Sequence, residues 1–176
     1  MCDSVTPAPQ ASTENDQSRV RATPVGQGKI FKYRIWDVTQ KFLYLHNSEL
    51  VAGYLQGSNA ALEEKIYWVP NRAADRMKFP VILGIQEGTR CLSTVLTGAS
   101  PTLQLEDTNI TTLYKDGENA TRFTFFRSYK DQVWTSFESA AHPGWFLCTS
   151  SQSNEPISLT QHPGPSHIVD FYFQPS

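Results

Sequence analysis

An all-β fold is predicted from Lys29 onward, and three observations carry the prediction. Short runs of β-branched, aromatic and leucine residues recur along the chain. Turn-forming residues separate them at near-regular spacing, which is the pattern of a barrel or sandwich. A faint self-similarity with a period of roughly 50 residues then divides the chain into three. FLYL at 42–45 followed by LVAG at 50–53 is echoed by CLST at 91–94 followed by TLQL at 102–105. FLCT at 146–149 followed by ISLT at 157–160 echoes it again. Three four-strand units make a β-trefoil, a closed barrel capped by hairpins, and closure removes exposed sheet edges. An immunoglobulin-like sandwich is the alternative, but the Cys…Trp…Cys spacing it favours is absent.

The first unit is predicted to hold strands at 33–38, 42–46, 50–56 and 65–70, with turns at Asn47-Ser48 and Gly57-Ser58-Asn59. The second holds strands at 81–86, 91–96, 102–106 and 122–128, broken by Glu87-Gly88, 98–101 and Asp116-Gly117. The third holds 135–140, 145–150, 157–161 and 168–174, with turns at 142–144 and 162–165. Short helical turns fit only at 62–65 and 109–114. In the third unit, FESAAHPGWFLCTS (137–150) packs two strand-like runs around His142-Pro143-Gly144. Trp145, Phe146 and Phe171 are assigned to the core. On the predicted strand 50–56, Tyr54 and Gln56 share one face and Leu55 takes the inward position.

A chain of 176 residues, 39% hydrophobic and 12% aromatic, suits one domain over 29–176 with a sizeable core. A net charge of −2 and scattered Lys and Arg provide no footprint for nucleic acid and no polybasic membrane anchor. No apolar run reaches the ~20 residues of a membrane span. Residues 1–28, rich in Pro, Ser, Thr and Gln and lacking an apolar signal-peptide core, read as a disordered segment. Export would then follow a non-classical route, leaving a cytoplasmic pool. Cys2, Cys91 and Cys148 form no CxxC, and Cys91 and Cys148 lie in apolar strands as buried, inert thiols.

Catalytic chemistry finds little support. His46, His142, His162 and His167 share no metal-ligand spacing, so no metal or cofactor is expected. Gly26-x-Gly28 lacks the third glycine of a dinucleotide loop, and no nucleophile-elbow or phosphate-loop motif occurs. Acidic pairs such as Glu63-Glu64 and Glu106-Asp107 are solvated turn residues rather than an acid–base couple. Two N-x-T sequons, at Asn109 and Asn119, are candidate N-glycosylation sites between strands.

The 137–150 stretch closely resembles the signature of the interleukin-1 cytokine family. The resemblance extends through YRIWDVTQKFLYLHNSELVAGYLQG (33–57), LEEK (62–65), VPNR (69–72), PVILGIQ (80–86), 103–107, 122–126 and DFYFQ (170–174). It implies a monomeric, secreted β-trefoil ligand, not an enzyme, that binds the immunoglobulin-like ectodomain of the interleukin-1 receptor. By resemblance to the antagonist members, the receptor contacts are Trp36, Gln40, Tyr54, Gln56 and Tyr172, and the ligand occupies the receptor without recruiting the accessory chain. Trp and Tyr are favoured anchors at interfaces. The chain departs from the antagonist pattern at Asp170, where that pattern has a lysine and agonists carry acids. It also departs in the longer 71–79 loop, and in Thr94 and His142, where cysteines are replaced. The alternatives implied are an antagonist of the interleukin-36 receptor or an agonist of the same family.

Overall fold

Six strands close on themselves. They are β1 (Phe31–Asp37), β4 (Ile66–Pro70), β5 (Pro80–Ile85), β8 (Thr124–Lys130), β9 (Trp134–Ser139) and β14 (Phe171–Pro175). β1 pairs with β4, β4 with β5, β5 with β8, β8 with β9, β9 with β14, and β14 returns to β1, all antiparallel. The structure is a computed structural model describing residues 29–176. The expectation of a disordered segment over residues 1–28 lies outside the described residues.

Three hairpins cap the barrel: β2 (Phe42–His46) with β3 (Glu49–Gly53), β6 (Arg90–Thr97) with β7 (Ser100–Glu106), and β10 (Phe146–Ser150) with β12 (Ser158–Thr160). These are the three segments in which the sequence repeats itself. Leu43, Leu92 and Leu147 occupy the same position in each and are all buried. Two short additions complete the sheet: β11 (Glu155–Pro156) on β3 and β13 (His167–Ile168) on β10. The arrangement is a β-trefoil. Its main core gathers Ile35, Leu83, Phe125, Phe137 and Phe171 inside the barrel. At about 25 cal/mol per Å² of apolar surface buried, each such side chain contributes on the order of 1.5–3 kcal/mol.

Four local expectations are corrected. The third strand ends at Gly53 rather than Gln56, because its partner β2 begins at Phe42 and the preceding Lys41 turns inward. Gly57, at a φ of 58°, then starts a 3₁₀ turn over Gly57–Leu62, upstream of the helical turn expected at 62–65. The last predicted strand is broken, with Val169 and Asp170 passing from the β10 edge to the barrel. Trp145 and Phe146 are half-buried rather than core, since Leu147 takes the inward position. By contrast, Phe171 is fully buried as expected. The 142–144 turn also forms as predicted: Trp145 N–H donates to His142 carbonyl oxygen at 3.2 Å, and Gly144 adopts a φ of 90° open to glycine. The second helical expectation also forms, as α1 (Ile110–Lys115) capped by Asn109.

Electrostatics reinforce the middle unit. Glu106, at the end of β7, accepts from Arg122 at 2.9 and 3.0 Å and from Ser93 hydroxyl at 2.6 Å. The Arg122 hydrogen bond, against some burial cost and with help from Ser93, Gln104 and the Arg122 charge, pulls the Glu106 carboxyl down from 4.5 to about 2. A carboxyl depressed in the folded state adds stability above its ordinary value, and that stability is lost as pH falls through the folded value. Glu106→Gln should therefore flatten the loss of stability between pH 4.5 and 2. Because Arg122 is half exposed, the screened effect at neutral pH is about 1 kcal/mol. Urea midpoints of the two proteins at pH 6 and pH 3 check it, and equal pH slopes would contradict it.

Candidate functional site

Strand alternation along β1 sends Ile35 and Asp37 into the barrel and leaves Arg34 and Trp36 on the outer face. Trp36 stands opposite Tyr172 across β1–β14 and opposite Phe42 across β1–β2. The three rings stack, with centroid separations of 5.0 and 5.3 Å and interplanar angles of 22°. Trp134 meets Tyr172 edge-on at 4.8 Å. The Arg34 guanidinium lies 5.4 Å from the Trp36 ring centre and 5.1 Å from that of Phe42. Glu63 holds it with two hydrogen bonds at 2.9 and 3.1 Å. The product is an aromatic ridge with a cation fixed against it.

The turn that follows β1 carries the next two positions. Gln40 is exposed at a φ of 82°, its N–H donating to the Asp37 carbonyl oxygen at 2.8 Å. Beneath it Asp37 and Lys41 form a fully buried ion pair at 3.0 Å. Asp37 Oδ1 accepts from the Thr39 N–H and hydroxyl and the Lys41 N–H, and Oδ2 accepts from the Thr149 hydroxyl at 2.6 Å. Burial pushes the Asp37 carboxyl up, but the bonds from Thr149, Lys41 and Thr39 outweigh it and hold the carboxyl below its ordinary value. The Lys41 ammonium also lies 5.6 Å from the ring centre of Tyr54, which is half exposed. Thus one buried pair supports both the Gln40 turn and the Tyr54 ring.

Of the five residues singled out in the sequence, Trp36 and Tyr172 touch directly, and Gln40 and Tyr54 connect to them through the Asp37–Lys41 turn. Gln56 is exposed beyond the end of β3, and its side chain makes no cap bond to the following 3₁₀ turn. The shared strand face assigned to Tyr54 and Gln56 does not exist, because neither lies in a strand. Even so, both are exposed and Leu55 is half-buried. Sequence reasoning missed Phe42 and Arg34, which the period of two and the hairpin register would have aligned with Trp36. It also missed the Asp37–Lys41 pair.

Asp170 is half-buried beside this ridge, its carboxylate 3.8 Å from Lys130 and its carbonyl oxygen accepting from Val38 N–H. Asn109 and Asn119 are both exposed. The Asn109 side-chain oxygen caps α1 through Thr111, whereas the Asn119 amide nitrogen donates to Asp116 at 2.8 Å. The Thr94 hydroxyl lies 3.0 Å from that of Ser139, which accepts from His142 N–H, so polar contacts join these two positions. Burial, then the nearby Glu106 charge, pushes the Cys91 thiol up to about 12, and burial raises Cys148 too, so both are poor nucleophiles. No cluster of metal-ligating side chains occurs among the described residues.

An aromatic ridge on the outer face of a trefoil is the type of surface on which protein partners dock. Comparison with known proteins makes this specific. The family model described as Interleukin-1 / 18 matches residues 55–173. The mouse interleukin-1 receptor antagonist protein is 51% identical over 147 residues, covering 83% of this chain and 79% of that protein. Human interleukin-1 family member 10 is 45% identical, covering 87% and 97%. The crystal structure of chicken interleukin 1 beta superposes with a TM-score of 0.72 at 32% identity, covering 84% of this chain and 97% of that one. The chain belongs to the interleukin-1 family, and with it to non-enzymatic, extracellular signalling ligands.

Proposed function

We propose that the chain binds the immunoglobulin-like ectodomain of the interleukin-1 receptor as a monomer. Binding would leave the accessory chain unrecruited and so block interleukin-1 competitively. The contacts are Trp36, Gln40, Tyr54, Gln56 and Tyr172. The observation that carries this reading is the 51% identity to a receptor antagonist protein over most of the chain. The physical support is a ridge of large, partly desolvated aromatic rings, the type of surface that supplies binding hot spots. Export proceeds by a non-classical route from a cytoplasmic pool. That route bypasses the secretory pathway in which N-glycans are attached, so the sequons at Asn109 and Asn119 would stay bare.

A second reading, agonism, is favoured by one observation: Asp170 places a carboxylate beside the ridge. A charge reversal there is of the kind that discriminates between partners. The test applies the purified protein to reporter cells carrying the interleukin-1 receptor and its accessory chain, with and without interleukin-1. The expected outcome is silence alone and dose-dependent block of interleukin-1. Activation that Asp170→Lys abolishes would establish agonism. Silence with no block would redirect the reading to the interleukin-36 receptor.

A further inference from the structure

Away from the ridge, β1, β4 and β8 border a groove of about 580 Å³, within the roughly 300–1,000 Å³ typical of small-ligand sites. Trp68 and Phe31, cross-strand neighbours, stack at 4.5 Å on one side. Phe79, 64% exposed on the 71–79 loop, and Tyr129 offer further aromatic surface. Arg72, Arg76 and Arg127 are the charged residues of the lining, and no acidic residue is among them.

Two donors in this lining are unanswered. Trp68 Nε1 and Arg127 Nε are buried and have no hydrogen-bond partner among the described residues. The Arg127 guanidinium lies 5.8 Å from the Trp68 ring centre, so the two donors belong to one small region. Another nitrogen of the same guanidinium donates to the Tyr129 hydroxyl. An indole and a guanidinium only donate, so what answers them must accept. A buried donor without an acceptor is costly, and most such groups in folded proteins find one. An apolar groove with net positive charge fits a small molecule with an apolar body and an anionic, accepting head.

We propose that this groove binds a small amphipathic carboxylate, its tail against Phe31, Trp68 and Phe79 and its head beside the Arg76 and Arg127 guanidinium groups. The site is separate from the receptor-contact residues and does not depend on their assignment.

Titration of the full-length, ¹⁵N-labelled protein with decanoate tests it, using 1-decanol as the uncharged control. The readout is the indole N–H signal of Trp68, assigned by its disappearance in Trp68→Phe. The expected result is a saturable shift of that signal with decanoate and at least roughly tenfold weaker binding of decanol. Arg76→Glu, an exposed change that spares the core, should weaken decanoate several-fold while leaving the circular-dichroism spectrum intact. Equal shifts with decanol would overturn the anionic part of the proposal. An unmoved Trp68 signal would overturn the whole. If it responds only to protein concentration or to a receptor ectodomain, a second copy or a protein partner covers the groove.

Discussion

Asp37→Ala is expected to lower the stability of the folded chain by about 3–5 kcal/mol, the range for stranding one member of a buried ion pair. Lys41 would remain inside the protein with its counter-charge removed, and the Thr149 hydroxyl would lose its acceptor. The loss should appear as a lower urea midpoint with an unchanged slope. The double variant Asp37→Ala/Lys41→Met should recover the part due to the stranded ammonium, because an apolar side chain of similar length leaves no buried charge, while the Thr39, Lys41 N–H and Thr149 donors still lack their acceptor. Recovery would show that the cost lies in the stranded ammonium. An Asp37→Ala single variant as stable as the parent would show that Lys41 escapes to solvent and that the turn is not braced as described. The pair also has a pH signature. Because the Asp37 carboxyl is held below its ordinary value, its contribution is present at neutral pH and above the unfolded-state value. It is lost as pH falls through the folded value, so acid should weaken the parent more than the double variant.

This pair also marks where sequence reading reaches its limit. The barrel was legible because its signal is repeated: three hairpins carry the same buried leucine, and turn residues mark nearly every reversal. Trp36 and Tyr172 were nominated through the family resemblance, and the pleat that buries the residues flanking them explains why one face of each ring stays outside. A lysine, by contrast, is almost never fully buried, and nothing in DVTQK announces that this one is. Its burial depends on Thr149, which lies in a different unit of the trefoil and is brought alongside only by folding. The same reason explains the end of β3. Strand propensity continues through Tyr54 and Leu55, but the hydrogen-bonding partner has gone into the core. Trp145 and Phe146 failed in the opposite direction. Hydrophobicity alone nominated them for the core, yet the pleat of β10 admits Leu147 and leaves Phe146 at its margin.

The other large effect falls on binding. Trp36→Ala should weaken association with the interleukin-1 receptor ectodomain by about 2 kcal/mol or more, roughly 30-fold in Kd. Trp36 is the ring that joins Phe42 to Tyr172, so its removal takes away a contact surface and the partner that orients both neighbours. Tyr172→Ala should weaken binding less, because Trp134 remains to cover part of the same surface. The two losses should not add, since stacked neighbours share one energetic unit, and the coupling in the double variant is expected to be about 0.5–1.5 kcal/mol. Surface plasmon resonance on the four proteins measures this, with urea unfolding run alongside. Trp36 is half-buried and faces outward, so stability should fall by much less than binding. A Trp36→Ala protein that unfolds early but binds normally once folded would make the tryptophan a brace for the barrel rim. The receptor contact would then have to be sought at Gln40, Tyr54 and Gln56, where exposed side chains border the same turn.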